Sequence, residues 1–305
     1  MGTSLSTASV NIRRSVGLGA IALAVKIACG TVAYADLPSG GNVISGAGSI
    51  GQNGNTLTVT QQTARMGVEW ESFNVGAGQR VQFSQPGADS VALNRVVGSD
   101  ASHIMGSLDA NGKVFLVNPN GVLFGKDAQV NTGGLIASTL GISNEDFAAG
   151  RFRFTKGDKA GSVVNDGNLT SGSVVLIAPT IENSGSINTH QGNTTLAAGE
   201  AVTVSVMNNG LITAQVDRAT LNASIRNSGR IIANGGSISL QAGTADAVLD
   251  SLINSDGLLQ AQSIEARDGR IFLGGGAGGT VFVGGTVDAS GYTAGQKGGE
   301  ITALG

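Results

Sequence analysis

The sequence reads Ile-Glu-Asn-Ser-Gly-Ser-Ile at 181–187 and Ile-Arg-Asn-Ser-Gly-Arg-Ile at 225–231, and related segments occupy 164–169, 206–212 and 253–258. Each segment has an apolar residue, a polar stretch that contains asparagine, a glycine and a second apolar residue. The five glycines stand at positions 167, 185, 210, 229 and 257, so the spacings between them are 18, 25, 19 and 28 residues. A loose period of about 20 to 25 residues indicates a solenoid, whose units bury their apolar faces only against their neighbours.

One coil of a parallel β-helix, with three short strands and three turns, fits this period. Runs such as SVVLI at 173–177 and GSISL at 236–240 alternate with the turns, and stretches with a helical period are nearly absent. Asparagine and glycine suit the turns because both tolerate positive φ. The sequence from residue 36 onward is long enough for about 11 to 13 coils at this period. A β-sandwich is the competing fold, with fewer repeats in register and more aromatic core residues.

The composition excludes several other classes of protein. Of 305 residues, 49 are glycine, 4 are proline and 13% are charged. Glycine is therefore more than twice as frequent as its usual ~7%, but without a Gly-X-Y period the chain is not a collagen. The charge is too low, and valine, isoleucine and leucine are too frequent, for a disordered chain. The sequence predicts an all-β protein with frequent glycine turns.

Residues 1–35 have the features of a secretory signal peptide. An arginine pair precedes an apolar stretch at 16–25, and an Ala-Tyr-Ala tripeptide predicts cleavage between Ala35 and Asp36. A membrane-spanning helix is the first alternative, but a lysine ends the apolar stretch, whereas a span needs ~20 apolar residues. Lipoprotein cleavage before Cys29 is the second alternative. Export with cleavage after Ala35 is the preferred interpretation.

Removal of this leader changes the charge and the redox chemistry of the chain. The leader carries three of the 18 basic residues and none of the 21 acidic ones, so the remaining chain has a net charge of 15 minus 21, or −6. It also carries Cys29, the single cysteine, so the exported chain has no thiol chemistry. A dispersed acidic balance argues against nucleic acid, which clustered lysine and arginine bind. We expect no nucleic-acid partner, no cofactor and no metal.

The two ends of the solenoid are expected to differ. An open solenoid exposes strand edges, which invite association unless they are covered. The segment 40–61 differs from the repeats and contains an alternating Thr-Leu-Thr-Val-Thr run at 56–60, so we expect it to form an N-terminal β cap. The repeat-like pattern continues through 298–305, so we expect the chain to be the front part of a longer rod.

Catalytic patterns are weak. His103 and His190 lack the spacing of zinc ligands, and no G-x-S-x-G sequence is present. Glu69 and Glu71 share a strand face, but solvated flanking charges explain them more simply than a glycosidase pair. The G-x-G-x-x-G match at 274–279 lies in a glycine run without a following helix. We therefore predict that the chain is not an enzyme. The alternative is a secreted carbohydrate-active β-helix enzyme with acidic residues clustered on one face.

The strongest local signal is Phe-Leu-Val-Asn-Pro-Asn-Gly-Val-Leu-Phe-Gly at 115–125. Apolar residues on both sides predict a strand, a tight turn and a second strand. The side chain of the first turn residue can bond the backbone, proline presets φ at the second position, and glycine suits the fourth. The turn consists of Asn118, Pro119, Asn120 and Gly121. From the residues alone, it is a corner of the solenoid.

Four blocks in this order resemble the N-terminal haemagglutination-activity, or two-partner secretion, domain of large exported bacterial adhesins such as filamentous haemagglutinin. The blocks are Glu-Trp-Glu-Ser-Phe-Asn at 69–74 (with Trp70, Phe73 and Asn74), Leu-Asn-Arg-Val at 93–96 (with Asn94 and Arg95), Asn-Pro-Asn-Gly at 118–121, and Gly-Leu-Ile-Ala-Ser-Thr-Leu at 134–140. The similarity is greatest to the high-molecular-weight adhesin branch and extends well over 36–201. A second Asn-Pro-Asn-Leu sequence, found in the filamentous haemagglutinin branch, is missing.

The resemblance implies a right-handed parallel β-helix that passes to the periplasm and then through a dedicated outer-membrane β-barrel transporter, whose POTRA domains bind this region. The turn at 118–121 matches the family's secretion motif, and two roles remain open for it: contact with the transporter, or shaping of the fold. The organisation expected is a signal peptide at 1–35, a secretion domain at 36–200 and continuing β-helix repeats at 201–305. Regions that bind a host-cell or matrix receptor are expected downstream.

Two further hypotheses accompany the resemblance. The same front end occurs in contact-dependent toxins, which is an alternative to an adhesin. Three N-glycosylation sequons begin at Asn168, Asn193 and Asn222. The high-molecular-weight adhesin branch is modified at such sites, so the resemblance implies these three asparagines as candidate glycosylation sites.

Overall fold

Short β-branched runs separated by glycine and asparagine turns form the strands of this chain. The computed structural model describes residues 37–189, 191–207, 210–220, 223–243, 252–265, 267–276 and 279–305. In these residues the strands are three to seven residues long, and the one helix has six residues. Within the same ranges, no helix has the length and apolar character needed to cross a membrane.

Most strands belong to three long sheets, which we call sheets I, II and III. Sheet I contains β7 (Ser102–Ile104), β10 (Val122–Phe124), β14 (Ser162–Asn165), β17 (Thr180–Asn183), β22 (Ser224–Asn227), β25 (Leu252–Ser255) and β28 (Thr280–Val283). Sheet II contains β2 (Gly48–Asn53), β3 (Thr56–Gln61), β5 (Arg80–Ser84), β8 (Ser107–Ala110), β11 (Gln129–Thr132), β15 (Asn168–Ser171), β18 (Ser186–Asn188), β23 (Arg230–Ile232), β26 (Leu258–Gln260) and β29 (Thr286–Asp288). Sheet III contains β1 (Asn42–Ser45), β4 (Arg65–Trp70), β6 (Val91–Val96), β9 (Lys113–Val117), β12 (Gly134–Ser138), β16 (Ser173–Ile177), β19 (Asn193–Ala198), β24 (Ser237–Ala242), β27 (Arg270–Gly274) and β30 (Glu300–Leu304).

The chain visits the three sheets in the fixed order I, II, III, and strands of successive visits pair in parallel. For example, β14 pairs with β17, β15 with β18, and β16 with β19. This is the parallel β-helix that the repeats predict, and the parallel order excludes the β-sandwich alternative. Residues of all three sheets face one continuous interior of valine, leucine and isoleucine side chains.

The described residues contain nine coils, fewer than the expected 11 to 13. Two coils (β3–β4 and β5–β6) have strands in sheets II and III, and seven complete coils run from β7 to β30. The number is smaller because part of the chain lies outside the coils. These parts are the cap strands β1 and β2, the helix α1 (Asn144–Ala149) with β13 (Phe152–Thr155), and the hairpin of β20 (Ala201–Val206) and β21 (Ile212–Arg218).

The first coil is covered by the predicted N-terminal cap. Strand β1 pairs antiparallel with β4, and β2 pairs antiparallel with β3. Antiparallel pairing satisfies the backbone groups at the first edge and stops the parallel stack there. The expectation of a β cap is therefore confirmed, but the cap consists of β1 and β2, whereas the alternating run at 56–60 forms β3, a strand of the first coil that pairs in parallel with β5.

A fourth, three-stranded sheet covers the outer face of sheet III. Strand β13 pairs antiparallel with β20, which pairs antiparallel with β21, and we call these three strands the outer sheet. Sheet III is consequently buried on both faces, and every residue of β9, β12, β16 and β19 is buried. The ring centroids of Phe115 and Phe152 lie 5.1 Å apart in the apolar layer between the two sheets.

A ladder of buried asparagines runs along the end of sheet I. The Asn165 Nδ2 atom donates to Asn183 Oδ1 at 2.7 Å, and Asn183 Nδ2 donates to Asn227 Oδ1 at 2.7 Å. The ladder continues from Asn227 to the Ser255 hydroxyl at 3.1 Å. All four residues are at most 1% exposed, so each amide depends on its neighbours for hydrogen bonds. Asparagine is thus selected here for its side-chain amide, and the expectation that it supplies positive φ is wrong at these turns.

Glycines stack at the same corner, two positions after the asparagines, for a different reason than the one expected. A Cβ atom on Gly185 would clash with the carbonyl oxygen of Gly167, and a Cβ on Gly229 would clash with that of Gly185. None of these glycines has positive φ. The requirement is therefore close approach of one backbone to the next, not the left-handed conformation.

The repeat at 206–212 is not a coil corner. Gly210 has a φ of +80° in the turn between β20 and β21. The stacked positions are 167, 185, 229, 257 and 285, so the interval from 185 to 229 spans one coil plus the inserted hairpin. A hairpin turn and a solenoid corner use the same Asn-Gly residues, so local sequence assigned this glycine wrongly.

Asn183→Ala should lower the free energy of unfolding by about 3 kcal/mol, because it leaves the Asn165 donor and the Asn227 acceptor buried without partners. Urea unfolding of the purified chain measures this. Asn188→Ala is the matched control, since Asn188 is exposed on the next strand of the same coil and its change should stay within about 0.5 kcal/mol. Equal effects of the two variants would contradict the ladder.

Gly229→Ala should lower the free energy of unfolding by about 1–3 kcal/mol, because the new methyl group must push two coils apart. Thermal unfolding measures the loss as a lower Tm. Gly157→Ala serves as the control, since a Cβ on Gly157 meets open space, and it should leave the Tm unchanged or slightly raised. An unchanged Tm for Gly229→Ala would show that the corner has spare room.

Candidate functional site

The four sequence blocks that suggested a secretion domain lie in four consecutive coils. Residues 69–74 begin in β4, 93–96 lie in β6, 118–121 follow β9, and 134–140 begin in β12. These four strands are neighbours in sheet III, in that order. The blocks therefore form one continuous region at the capped end of the solenoid, which we call the N-terminal block region.

In the first coil, Trp70 is held by an aromatic contact and a hydrogen bond. Its ring packs edge-on against Phe73 with centroids 5.6 Å apart, and both residues are 1% exposed. Its Nε1 donates to Asn94 Oδ1 of the next coil at 3.0 Å. A buried indole N–H needs an acceptor, and Asn94, which is fully buried, provides it.

Asn74 marks the place where sheet I begins. Its Oδ1 accepts a hydrogen bond from the backbone N–H of His103 at 2.7 Å. The adjacent Val75 forms a parallel bridge with Ile104, so the chain after Asn74 takes the place of a sheet I strand in this coil. Asn74 thus connects the first coil to β7 through its side chain.

Arg95 points outward and joins sheet III to the segment before α1. Its guanidinium contacts Glu69 Oε1 at 3.1 Å and donates to Asn144 Oδ1 at 2.8 Å and to the Ile142 carbonyl at 2.6 Å. These partners lie on β4, on α1 and just before α1, and the planar guanidinium has enough N–H donors to bind all three. Arg95 therefore positions α1 over the outer face of β6, and Glu69 is part of an ion pair.

The turn at 118–121 is a buried corner between β9 and β10. Asn118 is fully buried, and its Nδ2 donates to the Asp100 carbonyl at 2.9 Å and to the Ser102 hydroxyl at 3.0 Å. Its Oδ1 accepts from the Asn120 backbone N–H at 3.0 Å. The amide of Asn118 therefore ties the turn to the preceding coil and closes the turn itself, as the sequence predicts.

The other three turn residues also bind their own chain. Asn120 donates from Nδ2 to the Gly98 carbonyl at 2.9 Å, and the Gly121 N–H donates to the Asn118 carbonyl at 3.1 Å. Gly121 has a φ of +129°, a conformation that side-chain-bearing residues rarely adopt. The Pro119 carbonyl accepts from the Gly161 N–H of the following coil at 2.8 Å. The corner is thus bonded to the coils on both sides.

Pro119 and Asn120 are the accessible part of this corner, since both are partly exposed while Asn118 and Gly121 are buried. Pro119 lines an open cleft of about 510 Å³. The cleft is also lined by Ile142, Ser143, Lys156 and Lys159. This surface is where another chain can touch the motif.

The remaining predicted sites are dispersed. Asn168 and Thr170 are exposed on β15, whereas Asn193 is 7% exposed and accepts a hydrogen bond from the Ser237 hydroxyl at 2.8 Å. Asn222 lies outside the described residues, as does the predicted cleavage site between Ala35 and Asp36. No cluster of three or more metal-ligating side chains occurs in the described ranges.

The outer sheet was not predicted from the sequence. Its buried apolar residues are Phe152, Phe154, Val202, Val204, Ile212 and Ala214. Alternation in Phe-Arg-Phe-Thr at 152–155 and Val-Thr-Val-Ser-Val at 202–206 is the signal that predicts such half-buried strands. Lys113 was also missed: its buried ammonium donates to the Ala88 carbonyl and to Asp89, each at 2.9 Å.

Two curated relatives from Haemophilus influenzae are described as heme/hemopexin-binding proteins. One, from strain Rd, is 34% identical over 248 residues, which is 78% of this chain and 27% of the relative. The other is 32% identical over 284 residues, which is 84% of this chain and 30% of the relative. The chain therefore spans less than a third of the length of these relatives.

Two solved structures share the fold. The HMW1 secretion domain from Haemophilus influenzae has a TM-score of 0.70 and 32% identity, and the match covers 83% of this chain and 74% of that one. The filamentous hemagglutinin secretion domain has a TM-score of 0.55 and 16% identity, covering 88% and 99%, and supports the fold alone.

A family model for the TPS secretion domain matches residues 35–293, which include all four blocks, the cap and the outer sheet. The chain therefore belongs to the family of two-partner secretion domains.

Proposed function

We propose that this chain is the N-terminal secretion domain of a large exported adhesin, recognised by a cognate outer-membrane β-barrel transporter. The family match over residues 35–293 is the observation that carries the proposal. Proteins with this domain are exported by Gram-negative bacteria, and the family consists of secretion domains of exoproteins. In this proposal the chain does no chemistry of its own, and its partner is the transporter with its periplasmic POTRA domains.

Export and folding are coupled in this proposal. The chain reaches the transporter unfolded, emerges N-terminus first and forms the capped coil outside the cell. Each later coil then stacks on the edge of the previous one, because every strand of sheets I to III pairs with its neighbours in successive coils. Folding outside the cell opposes return of the chain without a nucleotide as energy source.

The organisation proposed is a signal peptide at 1–35, cleaved between Ala35 and Asp36, a secretion domain at 36–200 and continuing repeats at 201–305. The start of the family match at residue 35 supports the first boundary. The match continues to 293, and the outer sheet pairs β13 with β20 across position 200, so the repeats after 200 are continuous with the domain.

For the turn at 118–121 we propose two separate roles. Asn118 and Gly121 shape the corner, because both are buried and their hydrogen bonds close the turn and tie it to the corner before it. Pro119 is the residue proposed to contact the transporter, because it is partly exposed on the open cleft. Trp70, Asn94 and Arg95 act indirectly by holding the coils beneath.

The ligand of the longer protein is a second proposal. The HMW1 neighbour favours an adhesin whose downstream region binds a host-cell or matrix receptor. The two relatives favour capture of heme or hemopexin as a second candidate. Titration of heme into the exported chain, residues 36–305, tests whether this part binds heme. A shifted Soret band at micromolar heme would favour the second candidate. No observation favours a toxin or a carbohydrate-active enzyme.

Pro119→Ala should lower transporter-dependent export at least about fivefold while changing the free energy of unfolding by less than about 1 kcal/mol, since the variant keeps the carbonyl that binds Gly161. Asn118→Ala should also lower export, together with a loss of about 3 kcal/mol in stability from its unpaired partners. Quantitative immunoblots of medium and periplasm, with and without the transporter, measure export.

Pro86→Ala is the matched control, because Pro86 is an exposed proline at a different corner. It should be exported like the wild type. Normal export of both motif variants would refute the motif hypothesis, and retention of the wild type despite a functioning transporter would refute the secretion function.

Of the sequons, we propose that Asn168 is modified in the folded chain, because Asn168 and Thr170 are exposed on sheet II. A glycan on the 7%-exposed Asn193 would prevent β24 from pairing on β19. Mass spectrometry of the exported chain should find glycopeptides with Asn168 and unmodified peptides with Asn193. Modification of Asn193, or of neither, would contradict this assignment.

A further inference from the structure

The outer sheet joins parts of the chain that emerge at different times. Its first strand, β13, ends at Thr155, and its partner β20 begins at Ala201, opposite Thr155 in the antiparallel register. The intervening residues form two complete coils, β14–β16 and β17–β19. In N-to-C emergence, β13 therefore pairs only at Thr155, through a bridge to Gly141, and gains its strand partner β20 after both coils have left the transporter.

The outer sheet shares one buried apolar cluster with side chains from at least four successive coils. The sheet III members of this cluster include Phe115 of β9, Ile136 of β12, Val175 of β16 and Ala197 of β19. They face Phe152 and Phe154 of β13 and Val202 and Val204 of β20. An ordinary coil contacts only its two neighbours, whereas this layer connects four coils at once.

A single carboxylate links the three strands of the outer sheet at one end. Glu200, just before β20, forms ion pairs with Lys156 at 3.1 Å and Arg218 at 3.4 Å, and Thr220 donates to it at 3.1 Å. The hydrogen bond from Lys156 is the main cause of the lowered pKa of Glu200. The carboxylate is therefore charged at neutral pH and favours the closed sheet, and this contribution is lost only as pH falls through that lowered pKa.

Strand β21, at the edge of the outer sheet, is hydrogen-bonded to β24 of a later coil. Gln241 of β24 donates to the Ala214 carbonyl at 3.1 Å and accepts from the Val216 N–H at 3.2 Å, as a neighbouring strand would. The Ile212 N–H donates to the Ser173 hydroxyl of β16 at 3.1 Å. Contacts of the outer sheet thus extend from β9 to β24.

We propose that the outer sheet is a latch: it closes once residues to Arg218 have emerged, and it then prevents the coils from β9 to β19 from unwinding one at a time. The proposal rests on the export function above. Before closure, a pulling force can detach the last coil at the cost of its contacts with one neighbour. After closure, the same coil is released only if the sheet across four coils opens first. Closure is therefore the step that makes export of this domain irreversible.

The first experiment compares export of full-length Val204→Asp and Ser205→Asp chains. Val204 is 3% exposed beneath the outer sheet, and Ser205 is exposed on the same strand, so both place one carboxylate on β20 and only the first opens the sheet. Pulse-chase labelling in cells with the transporter measures the rate at which chains reach the medium. We expect Val204→Asp to be several-fold slower and Ser205→Asp to match the wild type.

The second experiment locks the latch. Arg153 and Thr203 are directly opposite in the β13–β20 register, where Cα atoms of an antiparallel pair lie about 4.5–5.5 Å apart and suit a disulfide. The exported R153C/T203C chain, purified reduced and then oxidised, is unfolded in urea and followed by the fluorescence of Trp70, the only tryptophan. We expect the oxidised form to unfold about 10-fold more slowly than the reduced form.

Each outcome decides the proposal. Export of Val204→Asp at the wild-type rate overturns the latch, while transporter-dependent export of the wild type leaves the secretion function standing. An unfolding rate that is the same with and without the cross-link overturns it as well. Complete loss of Val204→Asp from the medium supports the latch only together with slower unfolding of the cross-linked chain, and otherwise counts against it.

Discussion

The stacking of one coil on the next at the spacing of β-strands constrains the rest of this structure. At one corner the backbones approach so closely that a Cβ on Gly229 would overlap the Gly185 carbonyl. Two positions earlier at the same corner, the interior holds amides, and an amide such as Asn183 is satisfied by the asparagines above and below it. Each position must therefore suit its neighbours in two other coils. The sequence repeat is a consequence of this requirement.

The same requirement explains the spacing of the secretion-domain blocks. Trp70, Asn94 and Asn118 are separated by 24 residues each, which lies between the 26 residues that separate Trp70 from its register partner Val96 and the 22 that separate Asn94 from Leu116. All three are buried polar side chains, and the Trp70 indole donates to Asn94. A tryptophan in the first coil needs an acceptor in the second, since an unpaired indole N–H in the interior costs free energy. The blocks with Trp70 and Asn94 occur together because one supplies the buried hydrogen-bond donor and the other its acceptor.

Local sequence predicted those parts of the fold that local residues determine. The alternating run at 56–60 identified a β-strand, which belongs to the first coil directly beneath the cap, and the Asn-Gly segments identified the solenoid and most of its corners. Gly210 was misassigned because a hairpin turn uses the same residues as a corner. The outer sheet was missed because β13 has four residues and its partner begins 46 positions after its end, at Ala201. For the turn at 118–121, the sequence predicted the geometry, but only the structure shows that Asn118 is buried and Pro119 accessible.

Two kinds of contact hold the coils together, stacking between adjacent coils and the outer sheet that bridges several of them. The order of these contacts along the chain determines which coils can be released singly. Parallel stacking adds coils one at a time and gives no coil more than two neighbours. The cap closes the first edge with antiparallel strands, so further coils stack only toward the C-terminus, which suits the N-terminus-first emergence proposed above. The outer sheet then adds contacts between coils that are not adjacent. A solenoid that is built only by stacking is reversible at its growing end, because the last coil always has one free edge. A sheet that bridges coils after they form removes this reversibility without blocking the edge on which the next coil must pair.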